Sequence, residues 1–207
     1  MPEARSDPIE FYYSVRSVYA YFAVARIADI ARRHGRTIHH CPIDLSKVVP
    51  AFGSQPFAER GAKARTLQFR TEVRRWSQFL DVPVLVDPAH HHGDRVLPSC
   101  MVLAAQTAGL DTDVIAAAIL TALWRDDRDI ADPEVLSEIL EPLGINPVPL
   151  LAAACTDAQR SSFESCTARA IELGVPGSPS FFVDGQLFYG QDRLIFVERH
   201  LGQPFAH

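Results

Sequence analysis

Ser17 stands where a short apolar run ends and a helical pattern begins, and that position gives its hydroxyl a chemical use. The first turn of a helix exposes unpaired backbone N–H groups and the positive end of the helix dipole, which together favour an anion. Serine is also a favoured N-cap, and on spacing alone a cap is the simpler reading. Four cysteines, Cys41, Cys100, Cys155 and Cys166, supply thiols, but none is paired as Cys-x-x-Cys. Dithiol chemistry through such a motif is excluded, and the four are expected to be reduced and buried. His90-His91-His92 invites a metal reading. Metal-ligating histidines recur at helical spacing or join distant Cys, Asp or Glu, and no such pattern surrounds these three. A solvated loop and no metal are expected there. A serine hydrolase is poorly supported, since the chain has no Gly-x-Ser-x-Gly elbow.

The elements that must position Ser17 follow from its flanks. Ile9 to Tyr13 is β-branched and aromatic and reads as a buried strand. After the serine the period changes: Tyr19, Phe22, Ala23, Ile27, Ile30 and Ala31 fall on one helical face, with Arg26, Asp29, Arg32 and Arg33 opposite. Gly35 provides the αL stop, and Thr37 to Pro42 reads as a second strand, which completes a right-handed βαβ unit.

Val49 to Gly61 carries loop residues. Glu59 to Leu80 reads as one long helix whose apolar face runs through Leu67, Phe69 or Arg70, Val73, Trp76 and Leu80. Val82 to Pro88 is extended and bounded by proline. Helices are expected over 98–110, 113–125, 132–143, 149–154 and 157–173, with Asp132 as a cap and Pro133 in the first helical position. Gly174 to Tyr189 then forms two extended runs around Asp184-Gly185, hence a hairpin, and a last helix covers Arg193 to Leu201.

The run Phe11-Tyr12-Tyr13-Ser14-Val15-Arg16-Ser17-Val18-Tyr19-Ala20-Tyr21-Phe22-Ala23 resembles the 2-hydroxychromene-2-carboxylate isomerases and their relatives, the kappa-class glutathione transferases. The family run is Phe-Tyr-Phe-Asp-Phe-x-Ser-Pro-aromatic-x-Tyr-x-Ala. Ser14 replaces its acidic residue and Val18 its proline. Further matches are Ile43-Asp44-Leu45, Arg75-Trp76, Ala122-Leu123-Trp124, Asp129 to Leu136, Ser178-Pro179-Ser180-Phe181-Phe182-Val183 and Gly190-Gln191-Asp192-Arg193-Leu194. Together they span nearly the whole chain.

The resemblance implies a thioredoxin-like α/β domain, 8–50 plus 175–207, with a large helical insertion, 51–174. Where a redox relative carries Cys-x-x-Cys, this chain has Ser14 to Ser17. It implies glutathione as cofactor, with Ser17 as the catalytic residue that engages its sulfur. Ser178 and Pro179, the latter cis and facing Ser17, would receive the cysteinyl part, and Gln191 and Asp192 the γ-glutamyl end. Counting forward from Ser54-Gln55-Pro56 puts Lys63 at the family's ligand-binding lysine; counting back from Trp76 puts Arg65 there. The activity implied is a glutathione-dependent isomerisation of an aromatic-degradation intermediate, in which the thiolate adds to a conjugated carbon, the bond rotates, and elimination fixes the new geometry. A transferase or peroxidase on the same site, or a non-catalytic binding module, are the alternatives. A homodimer and a small-molecule substrate are also implied.

Composition agrees. Apolar residues at 47% and charged residues at 22% are those of a folded globular chain, and 207 residues allow one large domain or two interleaved ones. A net charge of −5 argues against nucleic acid as the partner. The longest apolar-rich run, Val114 to Trp124, is about half a membrane span, so no membrane partner is expected. Met1 to Pro8 is polar and shows no export signal, so the expected location is the cytoplasm.

Overall fold

The computed structural model describes residues 7–206. Most of the polar stretch Met1 to Pro8, and His207 at the end of the 175–207 segment, lie outside the described residues.

Four strands form one sheet: β1 (Ile9–Tyr13), β2 (Ile38–Pro42), β3 (Ser180–Val183) and β4 (Gln186–Tyr189), in the order β2-β1-β3-β4. β1 and β2 are parallel, with Tyr12 opposite Cys41, and the helix α1 (Val18–Arg33) crosses between them. β3 lies antiparallel to β1, with Phe11 opposite Phe181, and β4 antiparallel to β3. The β3–β4 turn is Asp184-Gly185, both at positive φ (50° and 87°), as a two-residue hairpin requires. The sheet thus joins the two ends of the chain, in the arrangement the resemblance implies.

Strand alternation gives the sheet two buried faces. Ile9, Phe11 and Tyr13 enter the main core, where Phe11 stacks on Phe181 at 5.2 Å between ring centroids. Tyr12 and Cys41 point the other way, into a smaller cluster with Ile43, Val48, Ala170 and Val175. Burying such a side chain is worth roughly 1.5–3 kcal/mol, so the aromatic run of β1 anchors both faces. Two polar contacts reinforce the sheet. Buried His40 of β2 bonds to the Tyr13 hydroxyl (3.0 Å) and to Asp113 (2.7 Å). Arg36, just before β2, grips Asp184 of the hairpin turn through its two terminal guanidinium nitrogens (2.9 and 3.2 Å), with both side chains buried.

The middle of the chain is helical. α2 (Leu45–Ala51) is followed by α3 (Ala62–Arg65) and α4 (Glu72–Leu80). Then come α5 (Val96–Thr107), α6 (Thr112–Trp124), α7 (Pro133–Leu140), α8 (Pro147–Ala154), α9 (Asp157–Glu172) and, after the sheet, α10 (Leu194–Gly202). Asp111, Asp132, Asn146 and Thr156 cap α6, α7, α8 and α9 with their side chains. α1 packs on α6, and α9 covers the β2 side of the second face.

Four local expectations need correction. The helix expected from Glu59 starts at Ala62 and is interrupted by a π turn over Thr66–Thr71. The loop expected from Val49 instead contains the end of α2, which Asp44 caps through Ser46 N (2.9 Å), and a 3-10 turn at Phe57–Glu59. His90-His91-His92 lies on a 3-10 turn, and His91 is half-buried against Phe69 and Trp124. Of the cysteines only Cys41 and Cys100 are buried; Cys166 is half-buried, and Cys155, at the C-cap of α8, is exposed.

Candidate active site

Ser17 ends the turn that leaves β1. Its backbone is extended (φ −84°, ψ 119°), its N–H donates to the Ser14 carbonyl (2.9 Å), and its carbonyl opens α1 by accepting from Tyr21 N (3.0 Å). Its Oγ accepts from Ala20 N (3.3 Å), so the cap is real. The same oxygen also lies 3.5 Å from the Ser178 carbonyl, across from a cis Ser178–Pro179 peptide bond. One half-buried hydroxyl therefore faces both the helix start and the loop before β3.

Both departures from the family run fit this local geometry. Ser14 Oγ accepts from Arg16 N (3.3 Å), the residue-to-second-neighbour bond that an aspartate also makes in such a turn. Val18 takes the first helical position, where no intrahelical N–H bond is made, and there a proline and a valine are interchangeable for the backbone. Ser14 N in turn donates to Ser178 Oγ (3.0 Å), which ties the turn to the proline loop. Buried Pro179 accepts from Gly190 N (2.9 Å) through its carbonyl, and this brings the Gly190-Gln191-Asp192-Arg193-Leu194 segment alongside.

Gly190 sets the direction of that segment. Its φ of 106° belongs to the left-handed half of backbone space, and a Cβ there would meet Asp192 Oδ1 at 2.5 Å. Gln191 is buried, and its Oε1 and carbonyl accept from Arg26 of α1 at 2.5 and 3.3 Å. Asp192 is partly exposed and bonds to Arg193 (2.6 Å). Tyr19, the second residue of α1, feels Asp192 as well: burial first, then Glu72, Tyr189 and Asp192, push its hydroxyl up to about 12, so it stays protonated.

Lys63 and Arg65 sit on α3, both exposed, and Arg65 turns back onto the Arg60 carbonyl (2.8 Å). The geometry brings together Ser17, Ser178, Pro179, Gln191 and Asp192 and ties neither of these two cations to them.

Two arginines complete the site, and periodicity gives neither a role. Arg16 reaches away from the turn to the Gly93 carbonyl (2.8 Å) and that of His91 (3.4 Å), while its Nε is buried with no hydrogen-bond partner. Burial and then the nearby Arg95 lower its pKa, with Asp44 and Asp94 opposing, yet a guanidinium remains charged. Arg95 pairs with Asp44 (3.0 Å). Arg26, assigned by pattern to the polar face of α1, instead fixes Gln191. The helix start, its N–H groups and Arg16 make the Ser17 region favourable for an anion.

Among the described residues no cluster of three or more His, Cys, Asp or Glu is placed to hold a metal ion, and no helix is long and apolar enough to cross a membrane.

Comparison with known proteins agrees with the geometry. The family model for the DSBA-like thioredoxin domain matches residues 8–202. A 2-hydroxychromene-2-carboxylate isomerase of Sphingobium xenophagum is 28% identical, over 93% of this chain and 97% of that protein. Glutathione S-transferase kappa 1 of Caenorhabditis elegans is 25% identical, over 95% and 91%. A solved 2-hydroxychromene-2-carboxylate isomerase superposes with a TM-score of 0.75 at 24% identity, covering 94% of each chain, a likeness of fold.

Proposed function

This chain belongs to the family of DSBA-like thioredoxin domains, and we propose that it is a glutathione-dependent isomerase of the 2-hydroxychromene-2-carboxylate isomerase type, acting on an unsaturated intermediate of aromatic breakdown. The observation that carries this reading is the Ser17 hydroxyl at the start of α1, 3.5 Å from the carbonyl that precedes cis Pro179, where a redox member would carry a cysteine pair.

The donor set suits a thiol tripeptide. When bound, glutathione supplies a thiolate that adds reversibly to a conjugated carbon. Ser17 donates a hydrogen bond to that sulfur, and the α1 N-terminus lowers the cost of its charge, since a free thiol has a pKa of about 8.5. Ser178 and Pro179 orient the cysteinyl backbone. The Asp192 carboxylate pairs with the γ-glutamyl ammonium, and Gln191 keeps that segment in register from its bond to Arg26. Lys63 or Arg65 holds the substrate carboxylate. The helical segment 51–174 forms the substrate side, and the sheet segments 8–50 and 175–207 the glutathione side. We place the enzyme in the cytoplasm and expect it to act as a homodimer.

The test follows the absorbance of 2-hydroxychromene-2-carboxylate and its ring-opened isomer with purified protein. Interconversion that needs glutathione supports the proposal; equal traces with and without it, together with no glutathione binding by calorimetry, would remove it. The similarity to a kappa-class transferase favours one second reading, in which the glutathione adduct is the product. Accumulation of a stable adduct with an electrophilic arene, and no isomerisation, would select that reading.

A further inference from the structure

Two cysteines that the proposed reaction does not use meet on the second face of the sheet. Cys41 lies on β2 opposite Tyr12, and Cys166 lies on α9, which covers that face. Cys166 packs against the buried cluster that contains Cys41. Both line one cavity of about 460 Å³ together with Glu10, Tyr12, His39 and Arg169. Glu10 pairs with His39 across β1 and β2, so the cavity lies towards the beginning of β1. Ser17 lies beyond the end of the same strand. The cavity is therefore separate from the candidate active site.

The two sulfurs stand in unequal surroundings. Cys41 is buried at 3% exposure, and its Sγ also has the His39 carbonyl at 3.7 Å. Cys166 is half-buried and reachable from the cavity. The neighbouring Cys41 lowers the Cys166 thiol, ahead of the opposing effect of burial; the neighbouring Cys166 and burial push Cys41 up. The thiol that a small disulfide can reach is the attacking member of a pair, and the buried one is the resolving member.

We propose that Cys41 and Cys166 form a thiol–disulfide exchange site that accepts small disulfides, oxidised glutathione among them, and closes to an internal Cys41–Cys166 disulfide. Cys166, having lost its proton to solvent, attacks one sulfur of the small disulfide. That S–S bond breaks, and one half leaves as a thiolate that takes up a proton. Cys41 then loses its proton and attacks the Cys166 sulfur of the mixed disulfide, and the second half leaves as a thiol. Two protein thiols are oxidised and one small disulfide is reduced to two thiols. Proximity makes the second step intramolecular and fast relative to the first. The proposal does not rest on glutathione binding at Ser17.

The test incubates the folded full chain with oxidised glutathione and, separately, with cystamine, which carries no glutathione recognition elements. Remaining thiols are alkylated and the peptides mapped by mass spectrometry. The expected result is a Cys41–Cys166 linkage with both reagents. In Cys41→Ser the expected product is a mixed disulfide retained at Cys166, and in Cys166→Ser the linkage is lost. If in the wild-type protein exposed Cys155 alone is modified while Cys41 and Cys166 remain alkylatable, the proposal fails. It fails equally if the linkage forms only after unfolding, and the wild-type arm decides even if a variant does not fold.

Discussion

At the scale of single residues, the Ser17 hydroxyl is shared between Ala20 N and the approach to Ser178. A hydrogen bond to a charged partner is worth about 1.5–3 kcal/mol. Each 1.4 kcal/mol is about tenfold in rate, so Ser17→Ala is expected to lower kcat about ten- to a hundredfold and to raise the pKa of bound thiol. Thiolate absorbance of bound glutathione against pH measures this. Superimposable titrations with only a lowered melting temperature would leave Ser17 as a cap alone. His91 makes a second prediction. Burial first, then His92 and Arg16, hold its pKa at about 4, below the usual 6.5. Between these values the unfolded chain binds the proton and the folded one does not, so stability is full above about 6.5 and falls as pH drops towards 4. His91→Gln is expected to flatten the melting temperature across that window, and an unchanged slope would refute it. Ser17 and Pro179 were legible because each sits in a short run with its own signal. Arg16 was not, because its carbonyl partner Gly93 lies 77 residues away and backbone acceptors leave no trace in side-chain pattern.

At the scale of elements, α1 does more than present Ser17. Through Arg26 it fixes Gln191 and the turn that carries Asp192. Arg26→Ala is expected to weaken glutathione binding about tenfold, from the loss of one charged hydrogen bond, with a smaller change in kcat; calorimetry set beside kinetics separates the two. The hairpin is held by Arg36 on Asp184. Asp184→Asn keeps a residue tolerant of positive φ and removes only the charge. Breaking one side of a buried pair costs about 3–5 kcal/mol, and since asparagine still accepts a hydrogen bond the expected loss in urea unfolding is near the lower figure. Strands, the βαβ crossover and most helices followed directly from period and caps. The π turn did not. The apolar face left Phe69 and Arg70 as rivals for one position because a wider turn shifts the helical phase there. In the structure Phe69 turns in to Phe57, His91 and Trp124, whereas Arg70 turns out to Asp87 (3.3 Å). α2 was hidden for another reason. It is short, contains Pro50, and depends on Asp44, whose own partners are distant in sequence, Arg95 just before α5 and Thr167 on α9.

At the scale of the whole molecule, one core runs from Ile9 through Trp124 to Val197, so sheet and helical insertion pack as a unit. That continuity could not be read from the order of elements, which placed strands at the two ends and helices between but said nothing of how far they interpenetrate. Apolar side chains also remain outside: Phe79 of α4 is 79% exposed, edge-on to Trp76 (5.6 Å). We propose that Phe79 lies in the dimer interface, with partly buried Trp76 behind it. Light scattering is expected to give the mass of a dimer at micromolar concentration, and Phe79→Glu to shift it towards the monomer. A monomer for the wild-type chain would overturn this. The closure of the sheet by the two ends of the chain sets a timetable for making the protein. Ser17 and Ser178 are 161 residues apart. A ribosome adding about 5–20 residues per second needs on the order of 10–30 s to cover that distance. Throughout that interval the nascent β1 has β2 as its sheet neighbour but an open edge where β3 will pair. A chaperone that shields this edge during translation would raise the yield of active enzyme more than one that acts after release.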